Sequence, residues 1–78
     1  MELSTEDLTF EDIWSILSLV DEAEYRSDTI GGVEYHTFEV HWGTEINYGD
    51  DDVEVKAGIH QLLLDAHSRE WVGYVKLT

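Results

Sequence analysis

The sequence predicts an α+β domain: one N-terminal helix packed on an antiparallel sheet of three or four strands. Three observations carry this. Apolar residues recur at helical spacing early in the chain, runs of alternating apolar and polar residues follow, and glycine supplies the only strong punctuation because proline is absent.

The helix is read from the segment LTFEDIWSILSLVDEAEYR, over about Phe10 to Tyr25. Phe10, Ile13, Leu17 and Val20 form one stripe, widened by Trp14, Ile16 and Leu19. Thr9 fits the N-cap, Glu11 and Asp12 fall in the first turn where the macrodipole favours carboxylates, and Leu8 and Ile13 occupy the two staple positions. With that boundary, Asp21, Glu22 and Glu24 lie in the last turns, where negative charge opposes the dipole by a few tenths of a kcal/mol each.

SDTIGG reads as a turn, and VEYHTFEVHW as a strand with Val33 and Tyr35 on one face and Phe38, Val40 and Trp42 on the other. The change of face near Thr37 implies a bulge or a strand covered in part on both sides. A connection follows with a short strand at Glu45 to Tyr48, and then VEVKA, with Val53, Val55 and Ala57 on one face. The segment 59–67 reads either as a short helix, through Ile59, Leu62, Leu63 and Ala66, or as the first strand of a hairpin closed by DAHSRE. The hairpin is preferred because no good N-cap precedes Ile59.

A chain of 78 residues is expected to form a single domain over 1–78, with few large apolar side chains to spare for an internal cavity. Cysteine is absent, which excludes disulfides and thiolate chemistry. The stretch MELSTEDLTF lacks the basic-then-apolar order of a signal peptide and no apolar run approaches a membrane span, so a cytoplasmic location is expected. The formal charge is −14, unevenly placed. Residues 1–54 hold sixteen acids and one base, Arg26, whereas residues 55–78 carry a net +1. Solubility requires far less, since a magnitude of about 2–8 suffices for a small domain.

Chemistry is sparsely signalled. GDDD within NYGDDDVEVK fails the EF-hand spacing from any of its candidate starting points, leaving an acidic turn or a divalent site outside that pattern. His36, His41, His60 and His67 lack the close pairing of zinc ligands and read as strand-surface groups that titrate near neutral pH. No nucleophile elbow, phosphate-cradling loop or dinucleotide fingerprint occurs, so neither catalysis, a metal nor a cofactor is expected. Direct nucleic-acid binding is disfavoured, because that affinity depends on lysine and arginine displacing counterions from phosphates and the chain has four such residues.

The inverse role is better supported. Carboxylates on adjacent helical turns or alternate strand positions lie about 5–7 Å apart, a spacing that can imitate a phosphate backbone. The expected partner-binding face comprises Asp21, Glu22, Glu24, Asp28, Glu34, Glu39, Glu45, Asp50, Asp51, Asp52 and Glu54, with Trp42 as its aromatic anchor. The expected function is a non-catalytic inhibitor or interaction protein that presents a nucleic-acid-like surface to a basic nucleic-acid-binding partner. The alternative is an acid-rich, salt-adapted intracellular domain with a housekeeping or assembly role. In length, lack of cysteine and acidity the chain resembles the small inhibitors that phages carry against host DNA-binding defences, among them anti-restriction and anti-CRISPR proteins and uracil-DNA glycosylase inhibitors. That likeness is one of composition and implies a class of partner rather than a particular one.

Overall fold

The computed structural model describes residues 8–78, so the reading of the first seven residues as free of a leader lies outside the described residues. Over the described residues the fold is α+β, with one helix and six antiparallel strands arranged as a four-stranded sheet and a two-stranded one. It is richer in sheet than one helix on three or four strands.

Helix α1 spans Phe10–Ser18. Thr9 is its N-cap and forms a capping box with Asp12: the Asp12 N–H donates to Thr9 Oγ1 at 3.1 Å, and the Thr9 N–H donates to Asp12 Oδ2 at 3.1 Å. The other end corrects the expected boundary at Tyr25. The Ser18 hydroxyl bonds back to the Trp14 carbonyl at 2.7 Å, and the Leu19 and Val20 N–H groups reach only three residues back, to Ile16 and Leu17, which tightens and ends the last turn. Asp21, Glu22 and Glu24 therefore lie beyond the helix, and the expected clash with its dipole does not arise.

Strand β1 (Glu24–Ile30) runs through the segment expected to be a turn, which shrinks to Gly31 and Gly32 alone. Both glycines have positive φ, 58° and 80°, as a type I′ hairpin requires. Strand β2 (Val33–Val40) pairs with β1 and with β5 (Gly58–Asp65) without a break in register, so the change of face near Thr37 is not a bulge. Both sides of β2 are partly covered, and Thr37 is buried where the Gln61 amide donates to its hydroxyl at 3.1 Å. Strand β5 takes the hairpin option for 59–67, with His60, Leu62 and Leu64 buried on alternate positions. It joins β6 (Trp71–Lys76) after a turn in which Asp65 Oδ1 accepts from the His67 and Ser68 N–H groups. The bulge falls here, between Leu63 and Leu64. The sheet order is β1-β2-β5-β6.

Strands β3 (Thr44–Tyr48) and β4 (Asp51–Val55) form the separate hairpin, turned at Gly49 (φ 66°) and Asp50. Helix and hairpin share one core with the sheet, in which Ile13, Ile16 and Leu17 meet Val53, Val55, Phe38, Val40 and Leu62. The Tyr48 hydroxyl donates to Asp12 Oδ1 at 2.8 Å, fastening the hairpin to the helix N-terminus. Among the described residues, the other face of the four-stranded sheet is covered by no further element. Ile30 is 65% exposed there, and a shallow depression of about 310 Å³ is bordered by Arg26, Asp28, Tyr35, Thr37 and Gln61. Among the described residues, no helix is long and apolar enough to cross a membrane.

Candidate anionic interface

The early helix stop has a structural consequence. Residues 19–23 become a connection that crosses near the end of β2, and a cleft of about 290 Å³ opens between that connection and the start of β3. Asp21 and Glu22 line one side, Glu45 the other, and His41 and Trp42 complete the wall. Trp42 is 59% exposed and Leu19 50%, so an indole and a leucine stand in solvent among three carboxylates.

Glu45 also belongs to the outward face of the β3–β4 hairpin. Alternation sends Ile46, Val53 and Val55 inward and leaves Glu45, Asn47, Asp52 and Glu54 outward. Glu45 lies directly opposite Glu54, and Asn47 opposite Asp52 with its amide 3.5 Å from Asp52 Oδ1. Carboxylates two positions apart on β4, Asp52 and Glu54, are spaced by about 6.5–7 Å. Asp50 and Asp51 extend the charge to the hairpin tip, both exposed. The anionic surface thus runs from Asp21 and Glu22 through Glu45 to Glu54, Asp52 and the GDDD turn.

The remaining expected acids are placed elsewhere or engaged locally. Glu24 opposes Glu39 across β1 and β2, a like-charge pair relieved on each side: Glu24 Oε2 lies 2.6 Å from His41 Nε2, and Glu39 Oε1 lies 3.8 Å from Arg26. Glu34 sits towards the opposite end of β2, bound by His36 and Arg69. The Arg69 guanidinium holds its carboxyl below the usual range. Asp28 is exposed on β1, facing the open side of the sheet.

Two histidines depart from the surface reading. His60 is buried, with Nε2 donating to the Lys56 carbonyl at 2.7 Å and Nδ1 accepting from the Tyr74 hydroxyl at 2.7 Å, so it is the neutral tautomer that fits. Burial lowers the His60 pKa and pushes the Tyr74 phenol up to about 12. His36 is half-buried. Its Nε2 donates to Glu34 at 2.9 Å and its Nδ1 lies 2.7 Å from the Tyr25 hydroxyl, while the rings of Trp14 and Trp71 pack edge-on against it. The sequence Tyr25–His36–Glu34–Arg69 has the order of hydroxyl, imidazole and carboxylate found in nucleophilic sites. Here it ties β1, β2 and the β5–β6 turn together around Trp14 and Trp71, neither of which is free to serve as an anchor. Its members are scattered over forty-five positions, and only the strand register reveals the contact.

Among the described residues, no group of three or more histidine, aspartate or glutamate side chains is arranged to hold a metal ion. Comparison with known proteins found no matching family, no matching characterised relative and no matching solved structure.

Proposed function

We propose that the chain is a non-catalytic binding protein whose anionic face occupies the basic, nucleic-acid-binding groove of a partner. One observation carries the reading: exposed Trp42 stands in a cleft walled by Asp21, Glu22 and Glu45, continuous through Glu45 with the acidic face of the hairpin. Carboxylates alone give steering and rapid association. A desolvatable indole beside them gives an anchor for an apolar or guanidinium group, through burial and cation–π attraction. Arg26 and Arg69 are engaged by Glu39 and Glu34. By class this is the behaviour of phage-type anti-restriction or anti-CRISPR inhibitors, and the reading carries with it a cytoplasmic location, where such targets act.

The test is competition. Proteins retained from a host lysate on duplex DNA are offered to the immobilised chain. The expected result is a captured subset whose binding to DNA and to this chain is mutually exclusive, with an affinity that falls at least about tenfold from low to physiological salt. Binding that ignores salt, or that leaves DNA binding intact, refutes the mimic mechanism.

The second reading, a salt-adapted domain, is favoured by the Glu45–Glu54 pair, since like charges directly opposed in a ladder destabilise it unless salt screens them. Circular dichroism separates the two: a fold that appears only in molar potassium chloride supports adaptation, and a fold intact in low salt supports the interface.

A further inference from the structure

The two edges of the four-stranded sheet are not alike. β1 protects its edge with alternating charge, Glu24, Arg26 and Asp28, a common device against unwanted strand pairing. β6 has the sequence WVGYVK, apolar until its last residue, and among the described residues it pairs with one strand, β5. Val75 is 41% exposed and Leu77, just beyond the strand, 54%. We infer that this edge pairs with the same edge of a second copy about a twofold axis, joining two four-stranded sheets into one.

The register follows from the backbone. The Leu77 N–H donates to the Ile59 carbonyl at 2.8 Å, which assigns the odd residues of this segment to β5 and turns the N–H and C=O groups of Tyr74 and Lys76 outward. The bulge disturbs only the Trp71 end, so Gly73 to Lys76 is in regular register with β5 and Leu77 continues it. That stretch is symmetric about Val75. A twofold axis there sets Val75 against Val75 of the second copy and Tyr74 against Lys76, and lets Tyr74 and Lys76 exchange four backbone hydrogen bonds. The side-chain faces stay in phase, so Val75 and Leu77 of both copies join on the open side of the sheet.

Charge selects the occupant. A copy carrying −14 repels another almost everywhere, but β6 lies in the segment of net +1, with Lys56, Arg69 and Lys76. Seven strand spacings then separate the acidic β1 edges of the two copies, about 34 Å, several Debye lengths at physiological salt. A basic strand drawn in by the overall charge would meet Lys76 at this edge. Pairing of one short edge is at the small end of specific interfaces, which predicts a reversible dimer with a dissociation constant of about tens of micromolar.

Sedimentation equilibrium of the full chain tests this. The wild type is expected to dimerise reversibly and to tighten by about tenfold from low to half-molar salt, as the residual repulsion is screened. Val75→Glu and Val75→Lys are each expected to abolish the dimer, because a twofold axis sets either charge against itself, whereas Val75→Thr retains it. Unchanged circular dichroism shows that the variants are folded. A wild type that stays monomeric in high salt at about millimolar concentration overturns the inference, as does dimerisation that survives both charged variants. Loss with one sign of charge and gain with the other also overturns it, and identifies a strand of opposite charge as the occupant.

Discussion

Replacing Trp42 by alanine is the sharpest probe of the anionic interface, because the indole lies outside the shared core and most of its area is exposed. A tryptophan side chain offers about 150–250 Å². With 59% still exposed, about 90–150 Å² remains for a partner to cover. At about 25 cal/mol per Å² this is worth about 2–4 kcal/mol when fully buried, a weakening of about thirty- to several-hundred-fold in Kd. Partial coverage by a polar groove brings the effect towards the lower end. The assay is isothermal titration of the captured partner with wild type, Trp42→Ala and Trp42→Phe, the last expected to be intermediate because it keeps part of the ring. Melting of the free protein should show a loss of at most about 2 kcal/mol, because about 60–100 Å² of the indole is already covered by its own chain. A loss of affinity below about threefold, or equal affinities for the alanine and phenylalanine variants, would show that the cleft is not the contact.

Changing Asp50, Asp51 and Asp52 together to asparagine takes the formal charge from −14 to −11 while leaving the Gly49 turn and the inward Val53 and Val55 in place. Partner affinity and its salt dependence should both fall, with melting held or raised, as titrations at two salt concentrations would show. Leu62→Ala removes a fully buried side chain from a central strand and should cost about 2–5 kcal/mol, a large part of the total for a domain of this size, as read by urea denaturation. For pH, the depressed pKa of buried His60 means that the unfolded chain takes up a proton first. Its contribution is intact above about pH 6.5 and is lost as pH falls below that value. Asp12, held low first by Tyr48 and then by Thr9, and Asp65, held low by the Ser68 and His67 N–H groups, contribute stability above about pH 4 that is lost on further acidification. Urea midpoints for wild type and His60→Gln between pH 7.5 and 5.5 isolate the histidine. The variant should lose that part of the slope, and parallel curves would refute the assignment.

The parts of the fold written in local pattern were legible. Thr9 caps the helix and Val53 and Val55 alternate inward, whereas 59–67 fitted helix or hairpin until the structure made Gly58–Asp65 a strand, with His60, Leu62 and Leu64 buried at every second residue. The helix end was not, since Val20 and Ala23 prolong the apolar stripe while a back-bonded serine and three-residue bonds stop the helix at Ser18. Strand β1 was missed for a related reason: all seven of its residues are exposed, so no alternation exists to be read, and only pairing with β2 creates the strand. His60 looks like a polar interruption until the Tyr74 hydroxyl and Lys56 carbonyl satisfy both its nitrogens. For the site, Trp42 could be singled out by its place at a strand end beside glycine. The convergence of Asp21 and Glu22 with Glu45 depends on where the helix stops, a tertiary fact.

That stopping point also changes what the acidity can be taken to mean. Carboxylates at a helix C-terminus would have been a local cost demanding a functional reason; released into a connection, Asp21 and Glu22 carry no such cost, and what distinguishes the acidity is how the charge is distributed. Three equilibria then respond to salt with different signs. Folding strengthens with salt, because the −14 charge and the opposed Glu45–Glu54 pair are screened. Association with a basic partner weakens, because the attraction that drives it is screened. Self-association through β6 strengthens, because the residual repulsion between two copies carrying −14 is screened. A salt-adapted domain without a partner requires only the first of these. The anionic interface requires the second, and the dimer edge requires the third. Measuring all three on one preparation therefore separates the interface from the other two by sign, and separates adaptation from assembly by whether the strengthening depends on protein concentration, which is a firmer criterion than the magnitude of any single surface interaction.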